Sequence, residues 1–285
     1  MMFKSQNGVS LRTVQLVTAI CVSLILIAPL VMLFVASLKT DRFEIMADMG
    51  SWRAFWVSTP SFDNFAEIMS FSGPYGFARY LVNSLIILVG TLGLGIIFCS
   101  MAGYVLARGS MRGRAALLAA VISLYIIPQE SIMMPLLLIV TRMGLGDGFL
   151  AQILPWAANP IYIFIFYQFF SQIPIEIHEA ATLDGTKPFQ AWRYVYMPMS
   201  VPATATVAIL MGIESWNQYL WPVLITQTSY ARPISVAIAA IFGNDEIYWN
   251  YAMAASVTMM IPILIFYMLF QRWFVSSFIS SAVKG

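Results

Sequence analysis

Apolar residues run almost unbroken from Val14 to Leu38, and five further runs of this kind follow, at about Tyr80–Ala107, Ala115–Val140, Phe149–Phe170, Met199–Ile225 and Tyr251–Phe274. Each is long enough for an α-helix to cross the hydrocarbon core of a bilayer, which takes about 20 residues. Barrel strands would instead be short alternating segments of about ten residues. The pattern predicts an all-α polytopic membrane protein with six transmembrane helices, and one membrane domain over residues 1–285. Pro128, Glu130 and Pro135 interrupt the third run, where proline removes a backbone donor and crowds the preceding turn. No internal duplication of the kind that marks many secondary transporters is visible.

The polar interruptions differ in character. Lys39–Arg79 is long and carries Trp52, Phe55 and Trp56, whose amphipathic rings suit a membrane–water boundary. Arg108–Arg114 is short and basic, Gly144–Gly148 is a glycine-rich turn, and Thr226–Asn250 reads as a loop. The longest polar interruption in the second half, about Ser171–Pro198, has the grammar of a short surface helix with a hard stop. Pro174 suits a first helical turn, because its missing N–H costs nothing there. Glu176 and Glu179 oppose the positive end of the helix dipole. Gly185 can take the left-handed conformation that ends a helix. Ile175, Ala180, Ala181 and Leu183 supply a small apolar surface, and a helix this short is marginal alone in water. It needs a partner to pack against.

Composition agrees with the pattern: 60% of residues are hydrophobic and 10% charged, with a mean hydropathy of +0.80, against a usual charged fraction of about 25%. A net charge of +2 with dispersed basic residues gives no nucleic-acid footprint. With the N-terminus inside, nine of the fifteen Lys and Arg fall on the inner side. That bias sets both termini and the Ser171–Pro198 loop in the cytoplasm. The first apolar run exceeds the about 7–15 residues of a signal h-region, so it reads as an uncleaved span. Cys21 and Cys99 lie in predicted spans and read as small buried hydrophobes.

Little of the chain points to catalysis. His178 is the one histidine; it reads as a solvated loop residue, and no second cluster completes a metal site. No phosphate-cradling glycine loop or nucleophile motif is present, so no metal and no cofactor are expected in this chain. Glu130 and Glu214 lie within apolar runs, where a charge costs several kcal/mol unless it faces a bundle interior or a wet cavity. Each reads as the lining of a translocation path, as an internal helix–helix hydrogen bond, or as an outer-end position at the water boundary, and Glu130 also as a cap at the Pro128 break. Beside Glu214 stand Trp216, Asn217, Tyr219 and Trp221. Rings and amides of this kind bind sugars through stacking and hydroxyl hydrogen bonds, and they also form the aromatic belt of a membrane.

The spacing Glu179-Ala180-Ala181, three residues, Gly185, nine residues, then Val195-Tyr196-Met197-Pro198 resembles the "EAA" loop of permease subunits of binding-protein-dependent ABC importers. Val195 and Met197 stand where that family usually has Ile and Leu. Ile173-Pro174, Asp184, Trp216-Asn217, Trp221-Pro222 and the ending Ala282-Val283-Lys284-Gly285 resemble its carbohydrate-importing branch, the relatives of the maltose permease. Ser277 and Ser281 depart from glycines expected there. The resemblance implies a subunit of the bacterial inner membrane that forms half of a path for a sugar, glycoside or short oligosaccharide. Glu179, Ala180, Ala181, Asp184, Gly185 and Pro198 would belong to a loop that docks on a cytoplasmic ATPase. The implied partners are a second homologous permease, two ATPase subunits that bind ATP and Mg, an extracytoplasmic solute-binding protein, and lipid. Glu214, Trp216, Asn217 and Tyr219 become candidates for the substrate path. Asn244, Asp245 and Glu246 become candidates for a loop that meets the binding protein. The alternatives are a permease for a non-sugar solute and a transporter driven by an ion gradient.

Overall fold

The computed structural model describes residues 7–70, 76–243 and 247–282, with side chains described between residues 12 and 269 of these. Every regular element among the described residues is helical. The long ones are α1 (Asn7–Ser37) and α2 (Phe77–Arg108), then α3 (Arg114–Leu124) and α4 (Gln129–Arg142). Next come α5 (Phe149–Ile153), α6 (Pro160–Gln172) and α7 (Ile175–Leu183). The chain closes with α8 (Val201–Asn217), α9 (Leu220–Ile225), α10 (Ile234–Phe242) and α11 (Trp249–Ala282).

Among the described residues, three helices are long and apolar enough to cross a membrane alone: Arg12–Ser37, Phe77–Arg108 and Trp249–Leu269. Three bent pairs pass the same test together, which gives up to six spans. The bends fall where the sequence removes backbone donors or offers a cap. α3 and α4 turn by 97° across Tyr125–Pro128. Phe149–Trp156 and α6 turn by 47° ahead of Pro160, where the Asn159 carboxamide oxygen accepts from the Ile161 N–H at 3.0 Å. Pro188–Met199 and α8 turn by 83° at Ser200.

Contacts divide the chain into two compact units, 1–77 with 238–260, and 78–237 with 261–285. In the first, the polar segment after α1 folds into short helices, Arg42–Asp48, Trp52–Phe55 and Asp63–Ile68. Its centre is Lys39, only 2% exposed, ion-paired with Asp48 and 3.6 Å from Glu44. A buried ammonium needs such partners, because its desolvation is otherwise uncompensated. Asn64 donates to the Ser37 and Lys39 carbonyls at 2.8 Å each, and accepts from Asn250 at 2.9 Å.

The second unit is organised by aromatic packing between α2, α6 and the segment 188–211. Cys99, Tyr104, Phe166, Phe170, Trp192, Tyr196 and Met211 are all buried in one cluster. The α2–α6 crossing is close because Gly103 carries no side chain. A methyl group there would lie 2.7 Å from Phe166 Cβ and 2.9 Å from the Tyr167 nitrogen. One expectation is corrected in this unit and the next residues of the chain: Thr226–Asn250 is more than a loop. It contains α10, a nine-residue helix after Pro233, apolar but for Ser235, whose Ile234 N–H is held by the Ser84 hydroxyl at 2.9 Å.

Candidate functional site

Two constellations in the second unit carry chemistry. The first is α7 and its surroundings. Pro174 stands one position earlier than expected, as the extended residue before the helix (φ −54°, ψ 141°). The C-terminus ends with paired bonds, the Thr186 N–H to the Ala181 carbonyl at 3.1 Å and the Gly185 N–H to the Thr182 carbonyl at 3.0 Å. This Schellman arrangement requires a left-handed residue, and Gly185 has φ +76°. A side chain there would meet nothing within 4 Å, so the backbone conformation alone demands glycine.

The helix has two unlike faces. Ala181 is buried, Ile177 and His178 are half-buried, and the His178 ring meets Tyr196 edge-on at 6.0 Å. Tyr196 in turn packs edge-on against Tyr104 at 4.9 Å and Phe170 at 5.6 Å. The expectation of a solvated His178 is therefore revised: the ring is a packing element. On the other face Glu179, Ala180 and Asp184 are exposed, and Leu183 is 89% exposed. Ile175 is exposed on the same helix, as are Phe189 and Tyr194 in the segment that follows, so the outward face sets bare apolar side chains beside the Glu179 and Asp184 carboxylates. Pro198 is exposed in the short helix Met197–Met199, just before the bend at Ser200.

Arg108, the last residue of α2, ties this assembly together. Its guanidinium donates to the Phe170 carbonyl at 2.9 Å and to the Ile173 carbonyl, satisfying the end of α6 directly before α7. It also lies 5.8 Å from the Tyr196 ring centroid. Nothing in the local sequence marks Arg108 for this role beyond its place at a helix end.

The second constellation surrounds Glu214. A cavity of about 530 Å³ opens where the α3–α4 and α5–α6 breaks face α8. Glu214 and Glu130 both line it, with Tyr125, Gln129, Trp156 and Asn159. The volume lies within the range of small-molecule sites, about 300–1,000 Å³. The Glu214 carboxylate accepts from the Tyr162 hydroxyl at 2.6 Å and from Gln129 Nε2 at 3.2 Å. Those donors sit in the first turns of α6 and α4, so two helix N-termini face the carboxylate. Glu130 also sits in the first turn of α4, directly after the break.

Of the other residues considered around Glu214, Trp216 is buried, Asn217 donates to the Ile213 carbonyl of its own helix at 2.8 Å, and Tyr219 is exposed. None of these three is among the residues that line the cavity. Trp221 serves as a brace. Its indole N–H donates to the Ala151 carbonyl at 3.0 Å, and its ring holds Trp156 edge-on at 6.0 Å. Asn244, Asp245 and Glu246 lie outside the described residues.

Comparison with known proteins identifies the family and the fold. The family described as "Binding-protein-dependent transport system inner membrane component" matches residues 95–280. The arabinooligosaccharides transport system permease protein AraQ of Halalkalibacterium halodurans is 31% identical over 267 residues, 93% of each chain. The trehalose transport system permease protein SugB of Mycobacterium tuberculosis is 35% identical over 232 residues, 80% of this chain and 84% of that one. In a crystal structure of a bacterial ABC transporter involved in import of the acidic polysaccharide alginate, one chain shares the fold. It has a TM-score of 0.81 and 22% identity, over 96% of this chain and 100% of that one. A component of this family carries no cofactor of its own and works with ATPase and binding-protein partners. The chain belongs to the binding-protein-dependent ABC transporter permeases, the multi-pass inner-membrane components of these systems.

Proposed function

We propose that this chain forms half of the translocation path of an importer for a sugar, glycoside or short oligosaccharide, and that α7 couples it to the ATPase. The observation that carries the coupling role is the division of α7 into two faces. One is locked onto Tyr196 and the α2–α6 aromatic cluster; the other presents Leu183 and its exposed apolar neighbours. A helix built this way transmits a push: its outer face meets a partner, and its inner face moves with the membrane helices. ATP-driven closure of the partner then shifts the balance between inward- and outward-facing states. The sugar assignment is supported by the arabinooligosaccharide and trehalose permeases among the relatives.

In this reading α7 and both termini are cytoplasmic, as the Lys and Arg distribution favours. The second half of the path comes from a different, homologous permease, and Asn244–Glu246 belongs to the outer segment that meets the binding protein. A photo-crosslinking amino acid placed at Leu183, and separately at Tyr230 (65% exposed), tests the arrangement in the assembled transporter. Leu183 should yield an adduct with the ATPase subunit, and Tyr230 should not. The reverse pattern would overturn both the docking role and the orientation.

A further inference from the structure

Beside the Glu214 cavity lies a second, water-sized space of about 10 Å³, sharing Trp156, Asn159 and Glu214 with the first and reaching Thr91. Thr91 is 2% exposed, and its hydroxyl has no hydrogen-bond partner among the described residues. The Trp156 indole N–H is likewise buried and unpartnered there. Two buried polar groups left in this state are costly unless something supplies hydrogen bonds. Trp156 is also an aromatic plane held in a fixed pose by Trp221, with Asn159 beside it. A polyhydroxylated ring has the matching chemistry, since its C–H face stacks on an indole while its hydroxyls both give and accept hydrogen bonds.

The charge of the site narrows the ligand further. Glu130 and Glu214 are the charged residues lining the two spaces, and no Lys, Arg or His does so among the described residues. The Tyr162 and Gln129 donors and the N-termini of α4 and α6 present partial positive charge to the Glu214 oxygens, an arrangement matched to an acceptor-only group. An anionic solute would set a like charge against these carboxylates, which are exposed to the cavity, and would therefore bind less well than a neutral one. The fold does not decide this preference, because the alginate importer shares it while handling an acidic polymer. The side chains decide it.

We infer that Glu130, Glu214 and Trp156 form a solute subsite within this chain that holds an uncharged sugar ring and rejects sugar acids and sugar phosphates, the water-sized space at Thr91 having room for a single water beside it. The inference rests on the sugar-importer reading and goes beyond it by assigning residues and a charge rule. The test uses the complete permease–ATPase complex in lipid nanodiscs, without binding protein, and saturation-transfer NMR with maltotriose and trigalacturonate. Wild type should saturate maltotriose about tenfold or more above trigalacturonate. The near-isosteric double variant Glu130→Gln/Glu214→Gln should bring the ratio towards unity, and Trp156→Phe should weaken maltotriose without restoring trigalacturonate. Equal saturation of both probes by wild type, a ratio the double variant leaves unchanged, or no binding of either probe would each overturn the subsite. Uptake of a panel of neutral oligosaccharides into proteoliposomes containing the binding protein is measured in parallel. Uptake with an unchanged ratio removes the subsite and leaves the importer reading intact; absence of uptake for every neutral sugar removes the sugar reading itself.

Discussion

Replacing Gly185 interrogates the coupling helix with little side effect on packing. A Cβ at this position meets nothing within 4 Å, so the cost of any substitution is the backbone conformation at φ +76°. For an ordinary L-residue the left-handed region costs about 1–2 kcal/mol, with β-branched residues worst and asparagine best tolerated. Relieving that strain means giving up the bonds from Gly185 to Thr182 and from Thr186 to Ala181 that end α7. A nine-residue helix has little intrinsic stability to set against such a loss. A cost of about 1–2 kcal/mol reduces the population of the docking-competent conformation by a factor of about 5–30.

Gly185→Val, Gly185→Ala and Gly185→Asn should therefore form a graded series, with solute transported per ATP hydrolysed falling in the order Gly, Asn, Ala, Val. The assay is uptake and ATPase activity measured on the same proteoliposomes, with assembly checked by size-exclusion chromatography. Uncoupling appears as ATP hydrolysis that persists while uptake falls; failed docking appears as loss of the ATPase subunit from the purified complex. A valine variant that assembles and transports at the wild-type ratio would refute the argument, because it would mean the geometry after α7 does not matter to coupling.

Arg108 and Asp147 supply two further tests. Arg108→Ala should leave the Ile173 carbonyl without its guanidinium donor, at about 1–3 kcal/mol, and the Phe170 carbonyl with only the Ile173 N–H, and so lower the thermal unfolding midpoint of the purified complex. Arg108→Lys should recover part of that loss. Asp147, at φ +59° outside the spans, accepts from the Thr228 hydroxyl and from the Thr228 and Gln227 amides, joining the Gly144–Gly148 turn to the loop after α9. These bonds, that from the Thr228 side chain foremost, hold its carboxyl below the ordinary value of 3.8. The depressed value makes the clasp fully formed above about pH 4 and lost as the pH falls through the folded-state value. Hydrogen exchange at Gln227 and Thr228 should be slow at pH 7 and speed up beyond its intrinsic pH dependence only in strong acid. Asp147→Asn should flatten that acid response, and an unchanged response would refute the assignment.

How much of the molecule is legible in its sequence varies by element. The helix α7 is readable because its determinants are local: Pro174 before it, small and apolar residues along it, and Gly185 after it. Its two faces are less so. Ala181 turns inward and Leu183 outward only because Tyr196, many residues later, supplies the surface on one side. The broken spans are half readable, since Pro128 and Asn159-Pro160 mark places where a helix stops without stating the angle at which it resumes. α10 escapes a reading from sequence because so short a run, apolar but for Ser235 and set between polar stretches, resembles a loop hydrophobe cluster as much as a helix.

The sequence alone determined the class, the apolar runs and the ends of α7, because burial in lipid selects on the length of apolar runs and helix termini are governed by nearby residues. What only the tertiary structure decided is the site. Glu214 receives donors from Gln129 and Tyr162, 85 and 52 positions away, and Trp156 faces the same space only once two helix breaks have turned towards α8. Trp216, Asn217 and Tyr219 sit beside Glu214 in the chain but not among the residues lining the cavity. A bent helix redistributes its faces, and which side chains share a cavity depends on angles between segments that no local pattern records.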